Sequence, residues 1–129
     1  MQTQNDDDYV LVIEDDPHTS AAYRAILEAE GYRVVRARGG FEALCRLEAG
    51  PGAPRLIVLD LDMPGIDGLE FHRQKRKRPA HAAVPVIVVS GSDRAATHPD
   101  GDDVKARMAK PLDVPSFLAE VAVWARAPG

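Results

Sequence analysis

The chain has 129 residues, 45% of them hydrophobic and 28% charged, a composition that fits one globular domain. A net charge of −4 leaves no general basic field for nucleic acid. The one cysteine, Cys45, cannot form an internal disulfide, no apolar run approaches the length of a membrane span, and residues 1–8 are polar and acidic, unlike a signal peptide. The expectation is a cytoplasmic protein with a disordered tail over 1–8, no membrane insertion and no direct nucleic-acid binding.

Strands and helices alternate along the chain, the pattern of a parallel sheet covered on both faces. The first strand is read over Tyr9–Glu14 and the first helix over Pro17–Glu30, where Pro17 suits a first turn and Gly31 a C-terminal cap. The second strand, Arg33–Ala37, leads to a second helix over Gly40–Glu48 with Phe41, Leu44 and Leu47 on one stripe. After the Pro/Gly loop 50–54, a third strand ends at Asp60. A loop containing Met63-Pro64-Gly65 leads to a third helix over Leu69–Arg78, stopped by Pro79. The fourth strand is Val86–Ser90. Ser92–Thr97 can start a helix, but Pro99 and Gly101 should keep it short or distorted. A fifth strand over Lys105–Ala109 precedes a last helix over Val114–Arg126, N-capped by Asp113, with Phe117, Leu118, Val121 and Trp124 on its apolar face.

Four apolar runs end in polar residues suited to phosphate chemistry: Glu14-Asp15-Asp16, Asp60, Ser90 and Lys110-Pro111. In a parallel sheet these ends share one edge, where open α/β sheets place their sites. Packed carboxylates repel and call for a shared cation. Mg²⁺ fits, because it takes a few carboxylates and keeps waters for phosphate oxygens; Mn²⁺ is the alternative.

The segments Val-Ile-Glu-Asp-Asp-Pro, Val-Leu-Asp-Leu-Asp-Met-Pro-Gly-Ile-Asp-Gly-Leu-Glu, Val-Val-Ser-Gly and Ala-Lys-Pro-Leu occur in order at compatible spacing. In this the chain resembles a response-regulator receiver domain of two-component signalling, from Tyr9 to about residue 127. The resemblance implies a flavodoxin-like (βα)5 sandwich with strand order 2-1-3-4-5, taken over by analogy with flavodoxin and the chemotaxis receiver. It implies Asp60 as phosphoacceptor, Asp15 and Asp16 as the acidic pair holding Mg²⁺, and Asp62 as the donor of a backbone carbonyl to the metal. Ser90 would bond a phosphoryl oxygen and Lys110 would pair with phosphate, ahead of a Lys110–Pro111 bond that is often cis in the family. The implied partners are a histidine kinase or histidine phosphotransfer protein and a downstream target. The implied role is regulatory, not that of an enzyme. One departure stands out: the switch position three residues before Lys110, aromatic in many receivers, is Arg107. It should stay near the surface or pair with Asp102 or Asp103, as burying an unpaired guanidinium is costly.

Blander readings apply elsewhere. Lys75-Arg76-Lys77-Arg78 suits a helix C-terminus by complementing its dipole. His18, His72, His81 and His98 lack metal-ligand spacing and are read as surface residues, Cys45 as packing, and Trp124 as core edge. The rival functions are a haloacid-dehalogenase-like phosphatase using Asp60 and Asp62, a flavin-binding module, and a receiver fold kept only as an unphosphorylated interaction surface. The phosphatase has its acidic metal pair last in the chain, and a flavin site needs a phosphate loop where Glu14-Asp15-Asp16 stands.

Overall fold

The computed structural model describes residues 9–49, 52–62, 68–91 and 98–125. Five strands, β1 (Val10–Ile13), β2 (Val34–Ala37), β3 (Leu56–Asp60), β4 (Val86–Ser90) and β5 (Val104–Ala109), form one parallel sheet in the order β2-β1-β3-β4-β5. The described residues contain four helices, α1 (Pro17–Ala29), α2 (Gly40–Ala49), α3 (Gly68–Arg76) and α4 (Val114–Trp124). The expected 1–8 tail and the short helix expected at Ser92–Thr97 lie outside the described residues.

The sheet is covered on both faces, so its central strands are unbroken apolar runs. Alternation divides them between two cores. Leu11, Ile13, Ile57, Leu59, Val86 and Val88 pack with Ala43, Leu47 and Phe71 of α2 and α3. Val10, Val12, Leu56, Val58, Ile87 and Val89 pack with Tyr23, Leu27, Phe117 and Val121 of α1 and α4. Phe71 and Phe117 are fully buried, each contributing about 1.5–3 kcal/mol through burial alone. Tyr23 stacks on Phe117 with ring centroids 5.9 Å apart, tying α1 to α4.

The helix ends follow their capping residues. Pro17 opens α1, Gly31 leaves it at φ +93°, and Asp113 accepts from the Ser116 amide at 3.1 Å to start α4. Of the expected α2 stripe, Leu47 is buried and Leu44 packs against the core, but Phe41 is 68% exposed, and Gly40 and Ala43 are buried in its place. Cys45, expected in packing, is on the exposed side of the same helix. Trp124 is at the core edge as expected, half-buried, with the Lys105 ammonium 5.2 Å from its ring centroid.

The reading of His72 and His81 as surface residues is overturned: both are buried, and Lys75, the first cation of the basic run, is fully buried with them. The Lys75 ammonium reaches Asp103 Oδ2 at 2.7 Å and the Ala82 carbonyl at 2.9 Å, while His72 Nε2 lies 2.8 Å from the same Asp103 oxygen. Burial of the lysine is tolerated because an acidic partner is buried with it.

Candidate functional site

Strand pairing assembles the site. Ile13 pairs with Leu59, so the next residues, Glu14 and Asp60, fall side by side; Asp60 pairs with Val89, and Ser90 pairs with Ala109. The ends of β1, β3, β4 and β5 therefore bring Glu14, Asp60, Ser90 and Lys110 to one edge. Gly68, at the start of α3, packs against the end of β3. A Cβ there would lie 2.7 Å from the Leu61 side chain and 3.4 Å from the Asp60 carbonyl, so any larger residue would press on the strand that carries Asp60.

Asp60 is 1% exposed, and its Oδ2 accepts from the Lys110 ammonium at 2.7 Å. That ammonium also lies 3.7 Å from Glu14 Oε1 and 3.7 Å from Asp62 Oδ2, so one cation faces three carboxylates. Burial alone would lower the Lys110 pKa, but the hydrogen bond and charge of Asp60, with Glu14 behind it, raise it above the usual value and keep it protonated. Glu14 is 2% exposed. Burial pushes its carboxyl up to about 8, and the charge of the neighbouring Asp60 pushes the same way. Lys110 precedes Pro111 through a cis bond, as the resemblance implied.

Of the three acids that follow β1, the structure brings Glu14, not Asp16, to the Asp60 and Lys110 cluster. Asp16 is exposed, and its Oδ2 accepts from the Thr19 amide at 3.0 Å and the Thr19 hydroxyl at 2.6 Å, so its carboxylate caps α1. Glu14 enters the cluster instead, with its Oε2 accepting from the Asp16 amide at 3.1 Å. Asp15 is half-buried between them in the turn from β1 to α1. The signal for Glu14 was present: counted from the strand's apolar run, it is the first polar residue, as Asp60 is for β3.

Asp62 contributes more than a backbone position. Its amide donates to Asp60 Oδ1 at 2.7 Å. Its side chain accepts from the Ser90 hydroxyl at 3.1 Å and from the Gly91 amide at 2.8 Å. Arg107 is half-buried and donates to the Pro99 carbonyl, while Asp103, one of its expected partners, is engaged by Lys75 and His72.

Among the described residues no three histidines, cysteines or acids stand as a ready cage for a metal ion. The donor set nevertheless suits a hard cation. Glu14 Oε1 is a buried acceptor without a hydrogen-bond partner, and it faces the same space as the Asp60 carboxylate. Mg²⁺ needs only one or two carboxylates when waters and phosphate complete its shell.

Over residues 10–121 the chain matches the family described as the response regulator receiver domain. It is 31% identical over 116 residues to protein PilH of Pseudomonas aeruginosa, covering 87% of this chain and 93% of that protein. It is 30% identical over 119 residues to the polar-differentiation response regulator DivK of Brucella anthropi, covering 87% and 91%. A 33% match over 121 residues to the phosphate regulon transcriptional regulatory protein PhoB of Rhizobium meliloti covers 91% of this chain, which spans only 52% of that relative. Among solved structures, the response regulator TrrA of Thermotoga maritima, determined in complex with Mg²⁺ and BeF, superposes with a TM-score of 0.79 at 25% identity, covering 91% of this chain and 98% of that one.

Proposed function

The chain belongs to the response-regulator receiver family, and from that premise we propose that it accepts a phosphoryl group on Asp60 from a phosphohistidine donor and switches a partner-binding surface in response. The observation that carries this reading is the buried Asp60 carboxylate held 2.7 Å from Lys110 at the edge where four strand ends meet. Family membership leaves the phosphatase and flavin readings without support.

In the proposed reaction an Asp60 oxygen attacks phosphorus. The bond from phosphorus to the donor imidazole nitrogen breaks, and its electron pair stays on the ring. The new group adds close to two negative charges and three acceptor oxygens. Lys110, kept protonated by its carboxylate neighbours, supplies a fixed positive charge to those oxygens. The Ser90 hydroxyl, at the end of the next strand, supplies a hydrogen-bond donor. Glu14, Asp15, Asp60 and the Asp62 carbonyl are the groups that would hold Mg²⁺, or Mn²⁺ in its place; a bound Mg²⁺ in the similar TrrA supports the choice of metal. When bound, the metal offsets the charge of the phosphoryl oxygens.

The protein acts in this reading as a regulatory phosphoacceptor, with residues 9–127 as one receiver domain. Its partners are a histidine kinase or phosphotransfer protein and a downstream target, in the cytoplasm. No helix among the described residues is long and apolar enough to cross a membrane. Phosphorylation would bias the loops after β3 and β4. Arg107, bonded to the Pro99 carbonyl, sits where it can feel the second of these loops.

The test is intact-mass measurement after incubation with acetyl phosphate and Mg²⁺. One phosphoryl adduct is expected on the wild-type chain, none on Asp60→Asn, and none after chelation of the metal. An undiminished adduct on Asp60→Asn refutes the assignment.

A further inference from the structure

We propose that the Asp62 side chain is a built-in occupant of the phosphoryl-oxygen pocket, which a phosphoryl group on Asp60 must displace; the inference rests on the reading of Asp60 as phosphoacceptor. The two Asp62 carboxylate oxygens take separate donors from the end of β4, Oδ1 the Ser90 hydroxyl at 3.1 Å and Oδ2 the Gly91 amide at 2.8 Å. The second oxygen also lies 3.7 Å from the Lys110 ammonium. A hydroxyl, a backbone N–H and an ammonium form a set of donors built for an anion with several acceptor oxygens. Asp62 fills the set with an anion of the chain's own.

The geometry ties this occupancy to Asp60. The Asp62 amide donates to Asp60 Oδ1 at 2.7 Å, so the blocking residue is anchored to the nucleophile it obstructs. The Asp62 side chain is 36% exposed, against 1% for Asp60, so it can swing to water without opening the core. The displaced carboxylate loses two hydrogen bonds and regains solvation, while the phosphoryl oxygens inherit the donors.

The consequence is selectivity among donors. A small dianionic phosphodonor in free solution meets Asp62 as one more like charge in a site already crowded with Asp60, Glu14 and Asp15. Its charge must also compete for a lysine shared between three carboxylates. A docked protein donor holds its phosphoryl group in place by contacts elsewhere and tolerates this obstacle better. Removing the Asp62 charge should therefore accelerate the small donor most.

The experiment uses the full chain with Mg²⁺ and acetyl phosphate as the probe. In the step measured, the Asp60–phosphorus bond forms, the bond from phosphorus to the acetate oxygen breaks, and acetate leaves with the electron pair. Asp62→Ala is expected to take up phosphoryl on the order of tenfold faster than wild type, the scale of one hydrogen bond to a charged group. Asp62→Asn should fall between, since it keeps one acceptor oxygen but presents an NH₂ to a donor. In the unphosphorylated protein, the Gly91 amide resonance should shift and exchange faster in Asp62→Ala. A plain clamp between β3 and β4 predicts the reverse: a less stable protein whose phosphorylation is unchanged or slower, and that result overturns the proposal. If neither wild type nor Asp62→Ala forms an adduct, the phosphoacceptor reading falls and takes this inference with it. Equal adduct rates with an unmoved Gly91 amide defeat this inference alone.

Discussion

Two clusters of buried charge lie on this sheet, and they are built on opposite principles. Around Asp103 the account is balanced: one carboxylate is met by the Lys75 ammonium at 2.7 Å and by His72 at 2.8 Å, and the lysine's remaining reach goes to the Ala82 carbonyl. Lys75 and Asp103 have side chains 0% and 3% exposed, and Gly101, at φ +154°, packs so closely that a Cβ would lie 2.7 Å from both Asp103 Oδ1 and the Arg76 guanidinium. Around Asp60 the charges do not balance. Three carboxylates face one ammonium that is 30% exposed, and Glu14 Oε1 has no hydrogen-bond partner. The balanced cluster fastens α3 to the chain entering β5. The unbalanced one leaves a buried carboxyl oxygen without a hydrogen-bond partner, the kind of perturbed cluster from which a functional site is argued.

The largest effect that can break this contrast is the loss of Lys75. Lys75→Ala leaves Asp103 buried with His72 and, 4.0 Å away, the half-exposed Arg76 guanidinium, and should cost about 3–5 kcal/mol of stability, the usual range for removing one partner of a buried pair. Lys110→Ala should cost less, because this ammonium is itself 30% exposed, the Asp62 carboxylate beside it is 36% exposed, and the Asp62 amide still donates to Asp60. Urea denaturation of both variants measures the difference. Equal losses would mean that the two clusters are fasteners of the same kind.

This contrast also marks what could be read from the residues alone. The apolar runs of β1, β3 and β4 announce strands buried on both faces, and their polar ends announce a common edge. Strand order needed an analogy, because nothing local distinguishes one right-handed path from another. Three acids in a row hide where the strand stops, and one step of register decides which carboxylate faces Asp60. Lys75 reads as one of four cations at a helix end because its acidic partner is 28 residues away. Phe41 looked like core because a three-residue spacing fits more than one helical stripe, and only packing shows that Gly40 and Ala43 form the inner one.

A smaller effect sharpens the comparison through pH. Burial holds the His72 imidazole below its ordinary 6.5, against the pull of Asp103. The unfolded chain therefore takes up a proton at that position before the folded chain does, so stability falls as pH drops below about 6.5. His81, also lowered by burial, adds a loss of the same sign. Burial would raise Asp103, but its hydrogen bonds from Lys75 and His72 outweigh this and lower it, so its contribution is lost only as pH falls below 3.8. Acid loss of stability should thus begin near neutrality and be shallower in His72→Gln. Melting temperatures between pH 7 and 5 test this, and parallel curves for the two proteins would remove His72 from the account.

The smallest expected effect concerns Asp16, and it decides which acids belong to the unbalanced cluster. Its carboxylate is committed to Thr19 through two hydrogen bonds, which lower its pKa, and it is exposed at the start of α1. That is the chemistry of a helix cap, which asparagine can replace and alanine cannot. Asp16→Ala should lower the melting temperature slightly and leave phosphoryl uptake by Asp60 close to wild type, and Asp16→Asn should restore the melting temperature. Glu14→Gln keeps the shape of a buried side chain but removes the carboxyl oxygen that would take a cation beside Asp60, so it should slow uptake with the fold intact. Adduct formation from acetyl phosphate and thermal melts, read on the same three variants, separate the roles. Should Asp16→Ala abolish uptake while Glu14→Gln leaves it unchanged, the acidic pair is Asp15 and Asp16, and the capping contacts seen at Thr19 give way when a cation binds.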